Sequence, residues 1–120
     1  MTATERDSSD LAQRIVDVLT DRQAEDVMLL DIRRVANFTD YFVIATAQNA
    51  RHMRALMETL DRDLSAEGAG PVHVEGEADS GWVLMDFGDV IAQLFTPEDR
   101  AYYNLEGLWG RAGVAPVRFQ

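Results

Sequence analysis

Two apolar runs of six residues, 27–32 (Val-Met-Leu-Leu-Asp-Ile) and 41–46 (Tyr-Phe-Val-Ile-Ala-Thr), stand either side of a polar connector, 33–40. The first is too short and too apolar for a surface helix and reads as a strand buried on both faces. The second is β-branched and aromatic, a strong strand. A chain holding such strands must supply covering elements for both faces of a sheet, and the flanking segments have the right period. Leu11, Ile15, Val18 and Leu19 form one apolar stripe at helical spacing, capped by Ser8 or Ser9 and ending near Arg22. Met53, Leu56, Met57, Leu60 and Leu64 form another behind an Asn49 cap, and Glu67-Gly68-Ala69-Gly70-Pro71 stops it.

Three further strands follow: 72–75, 81–87 and 90–95. Gly88-Asp89 between the last two suits a tight hairpin turn with Gly at its first central position. Thr96-Pro97-Glu98-Asp99 starts a last helix, with Tyr102, Leu105 and Trp109 on one face and Gly110 at its end. One of Tyr102 and Tyr103 should be core. The order is α-β-β-α-β-β-β-α. Short links make strands 1–2 and 4–5 antiparallel, and the helical link lets strands 2 and 3 run parallel. This predicts an α/β (α+β) fold, a mixed five-stranded sheet packed with helices. Residues 1–8 read as a disordered N-terminus, 9–110 as the domain and 111–120 as a flexible C-terminal arm.

With 120 residues and no cysteine, one domain without disulfides, Cys-based zinc or thiol chemistry is expected. No apolar run approaches the roughly 20 residues of a membrane span, and residues 1–10 carry no secretory signal pattern. A cytoplasmic location is consistent with this. The formal net charge is -10, and all eleven basic residues are Arg. Such acidity disfavours an anionic membrane and strong direct nucleic-acid binding. Residues 63–110 carry ten acids against one Arg, and Glu67, Glu75, Glu77, Asp79, Asp86 and Asp89 follow one another with no Lys or Arg between them. That stretch is either a solvated face or a docking face for a basic partner.

The chain carries few marks of catalytic chemistry. Walker, Gly-x-Gly-x-x-Gly and Gly-x-Ser-x-Gly patterns are absent, and His52 and His73 are not at metal spacing. Glu75, Glu77 and Asp79 alternate, so an extended chain would put them on one side and could bind a hard cation, although their flanks favour a loop. Asp86 and Asp89 are three apart with no preceding Gly-Ser loop, unlike the carboxylates of two-metal nucleotidyl transfer. No enzyme activity, metal or cofactor is expected. In the strand 81–87, Val83, Met85 and Phe87 share the natural core face, while Trp82, Leu84 and Asp86 share the other. That second set is either core under a helix or an apolar patch with an acidic rim, the anatomy of a protein interface.

Several blocks occur in a distinctive order: Thr39-Asp40-Tyr41-Phe42-Val43-Ile44 with Arg51-His52, Val74-Glu75-Gly76-Glu77, 81–90 (Gly-Trp-Val-Leu-Met-Asp-Phe-Gly-Asp-Val) and 102–109 (Tyr-Tyr-Asn-Leu-Glu-Gly-Leu-Trp). Together they resemble the Iojap family, the ribosomal silencing factors (RsfS) and their organellar relatives, over about residues 9–110. Ala47 and Asn49 depart from it, standing where that family carries Gly and Ser. The resemblance implies a nucleotidyltransferase-like core without catalytic residues. It also implies binding to ribosomal protein uL-fourteen of the large subunit, which blocks small-subunit joining and lowers translation when nutrients are short; organellar relatives imply large-subunit assembly. On that reading Trp82 and Leu84 supply buried area, Asp86 and Asp89 pair with basic groups of the partner, Glu75 and Glu77 flank them, and Tyr102 and Tyr103 are secondary. A nucleotide-binding enzyme of nucleotidyltransferase type and a homodimer using the same patch are the alternatives.

Overall fold

A computed structural model of the chain describes the backbone of residues 3–119 and the side chains of residues 8–119. The elements run α1 (Ala3–Asp21), β1 (Glu25–Asp31), β2 (Tyr41–Thr46), α2 (Ala50–Ala66), β3 (His73–Glu75), β4 (Trp82–Asp86), β5 (Val90–Phe95), α3 (Pro97–Tyr103), α4 (Leu105–Arg111) and β6 (Val117–Phe119). The six strands form one sheet in the order β3-β4-β5-β2-β1-β6.

β2 and β5 are buried at every position and occupy the middle of the sheet. They pair parallel, Tyr41 opposite Val90 through Thr46 opposite Phe95. The expected parallel partner of β2 was the strand after α2. That strand, β3, is only three residues long and exposed throughout, so it pairs antiparallel with β4 at the far edge. The central place goes to β5, the strand with apolar surface to bury on both faces. Its hairpin with β4 closes as the Gly88-Asp89 spacing predicts. Phe87 N–H donates to the Val90 carbonyl at 2.8 Å, and Gly88 at φ +92 takes the left-handed corner.

One face of the sheet, including Val27, Val43, Ala45, Val83, Met85, Ala92 and Leu94, packs under α1 and α2 through Ile15, Leu19, Met53, Leu56, Leu60 and Leu64. Asn49 caps α2 as expected, its side-chain oxygen accepting from His52 N–H at 2.8 Å. The opposite face carries Met28, Leu30, Phe42, Ile44, Ile91 and Phe95, covered by Leu105, Trp109 and Val114 from the C-terminal segment. β1 is therefore buried on both faces, as its composition requires. Ala47, the departure from the family pattern, is fully buried and donates its N–H to the Phe95 carbonyl at 2.8 Å; it has no positive φ, so the turn does not need glycine there.

Three further expectations differ from the fold. The sheet has six strands, not five, because residues after 110 are not a free arm. Val114 is buried, and β6 pairs antiparallel with β1, Val117 opposite Leu29 and Phe119 opposite Val27, covering an edge that would otherwise expose backbone polar groups. Helix α1 begins at Ala3, ahead of the expected Ser8 or Ser9 cap, and Ser8 is buried; no Gly or Pro in 3–10 interrupts it. Met1 and Thr2, the start of the segment read as disordered, lie outside the described residues. Finally, the last helix is broken. Asn104 adopts φ 47, ψ 54, its N–H closes α3 on the Arg100 carbonyl, and its side chain caps α4 by accepting from Gly107 N–H at 3.2 Å.

Candidate functional site

The alternation in β4 falls as the sequence requires. Val83 and Met85 are buried under α1 and α2, whereas Trp82, Leu84 and Asp86 on the other face are half-buried. On that second face α3 packs against β5 and, through Tyr103, against Trp82, while Trp109 of α4 packs against Phe42 of β2; Trp82, Leu84 and Asp86 stay half-buried. The Trp82 indole is both core and surface. Its N–H donates to the Gln93 side-chain oxygen at 2.9 Å, satisfying a buried amide, and its ring stacks on Phe95 at 5.2 Å between centroids. Tyr103 closes on it from α3 at 4.4 Å. Trp82 and Leu84, together with Glu75 and Gly76, line a cavity of about 230 Å³.

Pairing places Glu75 opposite Leu84 and His73 opposite Asp86, so these side chains share the open face. His73 Nε2 donates to the Glu75 carboxylate at 2.8 Å. Asp86 accepts from Gly88 N–H at 2.7 Å, so one of its oxygens is committed to the hairpin turn.

The remaining carboxylates go elsewhere. Gly76 at φ +91 breaks the extended chain, and the Ser80 hydroxyl ties the following loop by accepting from Glu77 N–H and donating to the Glu77 carbonyl. Glu77 and Asp79 consequently line a separate cavity with Arg54, Met57 and Glu58 of α2. Glu75, Glu77 and Asp79 do not share one side, because alternation holds only while the chain stays extended. Asp89 lines a third cavity, about 440 Å³, with Leu11, Arg14 and Leu64 on the α1–α2 side. Its carbonyl accepts from Asp40 and Tyr41 N–H, so Asp89 holds the β1–β2 connector against the hairpin. Among the described residues no three His, Asp or Glu converge as metal ligands, and no helix is long and apolar enough to cross a membrane.

Neither tyrosine is core. Tyr102 is 80% and Tyr103 43% exposed, although Tyr103 rests one side of its ring on Trp82 and Phe95. They meet edge to face at 4.9 Å and extend the aromatic surface beyond Trp82. Sequence reasoning missed what holds α3 and α4 there. Arg100 is only 7% exposed; its Nε donates to Glu106 at 2.9 Å and its Nη1 to the Thr46 hydroxyl at 2.7 Å. Its one visible signal was being the lone Arg among ten acids.

These features define a class: a small mixed α/β domain whose second sheet face is half-covered, presenting an aromatic surface with carboxylates along its rim. The family described as "Ribosomal silencing factor during starvation" (RsfS) matches residues 5–119. The chain belongs to that family. It is 34% identical to the Bacillus subtilis ribosomal silencing factor RsfS over 82% of this chain and 84% of that protein. It is 33% identical to the chloroplastic Iojap protein of Arabidopsis thaliana, over 91% of this chain and 45% of that protein. It is 32% identical to the mouse protein named for mitochondrial assembly of the ribosomal large subunit, over 79% and 43% of the two chains. A crystal structure from Bacillus halodurans matches with a TM-score of 0.78 at 31% identity, covering 92% of this chain and 99% of that one. Another from Chromobacterium violaceum gives 0.77 at 32% identity, covering 92% and 88%.

Proposed function

We propose that this protein silences ribosomes: it binds the large subunit through ribosomal protein uL-fourteen and occupies space the small subunit needs. Translation then falls under nutrient limitation or in stationary phase. The action is steric, in the cytoplasm, with no bond made or broken and no cofactor. The half-open face of Trp82 and Leu84 is the observation that carries this reading. Exposed Tyr102 and Tyr103 widen it, and Glu75 and Asp86 give it a negative rim suited to a basic ribosomal protein. Glu77 and Asp89, which face other cavities, are left out of the contact.

Cosedimentation with separated subunits tests it. The wild type should pellet with the large subunit alone and prevent joining on remixing, and Trp82→Ala should abolish both while remaining folded. A folded Trp82→Ala variant that still pellets would overturn the assignment of the face. A second reading, assembly of the large subunit, is favoured by the mouse relative's name. It predicts immature large-subunit particles on depletion of the protein during growth. The same face could instead join two copies, in which case Trp82→Ala would convert a dimer to a monomer in light scattering.

A further inference from the structure

We infer that the cavity bounded by Glu75, Gly76, Trp82 and Leu84 is a socket for one arginine side chain of the bound protein, an inference that rests on the docking role of this face. At about 230 Å³ the cavity falls below the roughly 300–1,000 Å³ of small-molecule sites and suits a single long side chain. Its walls are the Trp82 indole and Leu84, which would cover the methylene stem, and its one charged group is the Glu75 carboxylate. The occupant's charge follows. No Lys or Arg lies between Glu67 and Asp89 in the chain. Arg100, on the neighbouring helix, is spent on Glu106, and Arg54 lines a different cavity. An anionic ligand would therefore meet Glu75 with no Lys or Arg in the lining to offset it, and one carboxylate is too few for a metal ion.

Arginine fits better than lysine. A planar guanidinium can lie against an indole and give a carboxylate two hydrogen bonds, whereas an ammonium is a compact, strongly hydrated point charge. Glu75 already accepts one hydrogen bond from His73, which orients the carboxylate. Asp86, the other acid on this face, has one oxygen occupied by Gly88 N–H and sits opposite His73, two residues along β4 from Leu84 and outside the cavity lining.

The socket can be tested apart from the ribosome. In a titration followed by amide and indole NMR, N-acetyl-arginine methylamide should move the Trp82 indole N–H and the Glu75 and Leu84 amides in a saturable way. The uncharged citrulline counterpart should bind weaker by about tenfold or more, as should the arginine probe with Glu75→Gln. Equal shifts from arginine and citrulline, or shifts centred on Asp89 instead, would overturn the socket. In cosedimentation, Glu75→Arg should weaken large-subunit binding by about tenfold or more, while Glu58→Arg on α2 stays within about twofold of wild type. Wild type that binds while Glu75→Arg binds equally well removes the socket and leaves the silencing function. Wild type that binds no subunit removes that function, and the titration then decides the socket alone.

Discussion

Arg100 carries its charge out of water between the end of β2 and helix α4, and two of the atoms involved pay for it. Arg100 Nη2 and Glu106 Oε1 are buried without a hydrogen-bond partner among the described residues. Removing one member of such a pair costs more than removing both. Glu106→Gln should therefore destabilise the protein by about 3–5 kcal/mol in denaturant titration, and the Arg100→Met, Glu106→Leu double variant by distinctly less. Gly76 is constrained twice: φ is +91, and a Cβ there would lie 2.4 Å from the Trp82 carbonyl oxygen. Gly76→Ala should cost about 1–3 kcal/mol, read as a lowered melting temperature. At Asp31 the Arg33 guanidinium and backbone N–H hold the carboxyl below the usual carboxylate range, through hydrogen bonds first and charge second. The native state thus binds that proton more weakly than the unfolded chain. The contribution is full above the unfolded pKa and is lost as pH falls through the native one. Asp31→Asn should be less stable than wild type at neutral pH, with the gap closing in acid; about half exposure of both side chains keeps it under about 1 kcal/mol. His52 is a clear case of a residue settled by its neighbours. Nδ1 accepts from Gln48 N–H and Nε2 donates to the Arg22 carbonyl, each at 2.9 Å, which defines the neutral Nε2–H tautomer and joins the start of α2 to the end of α1.

At the scale of elements, local pattern was a sound guide wherever burial repeats along the chain. The stripes of α1 and α2, the runs of β1, β2 and β5, and the two-sided alternation of β4 all lie where their periods put them. It failed at elements whose reason is non-local. β6 has three residues and forms because β1 has an edge to cover. The helix break has a local cause in hindsight, an Asn able to take the left-handed conformation, but a helical stripe continuing from Tyr102 through Leu105 to Trp109 concealed it. β6 and the proposed contact face lie at opposite ends of the strand order. Ending the chain at Ala115 should therefore lower the melting temperature and speed amide exchange at Val27 and Leu29, yet leave large-subunit binding unchanged.

For the whole molecule, charge decides how a partner is met. A net charge of -10 steers the protein toward basic surfaces and away from exposed nucleic acid backbone. Because rim charges act mainly on encounter, rising salt should weaken large-subunit binding chiefly through a slower association rate, with dissociation nearly constant. Surface-immobilised subunits would show this, and a salt-independent association rate would mean the contact is dry and apolar. Trp82→Ala should act in the opposite way, through dissociation, since it removes buried area rather than field.

Much of the candidate site was legible in the chain: Trp82 and Leu84 were placed on the face away from the main core, and acidity was placed around them. Which carboxylates belong there was not legible. Glu75, Glu77, Asp86 and Asp89 look alike as an acidic run, but Gly76 turns Glu77 toward α2 and the hairpin carries Asp89 to the α1–α2 side. Periodicity is a property of neighbouring residues, so the elements whose burial repeats along the chain, their buried faces and the overall charge follow from local order alone. Juxtaposition depends on which strands lie side by side and where a single positive φ redirects the backbone. Tertiary structure alone therefore decided the strand order, the clasp at Arg100 and the residues that line the open face.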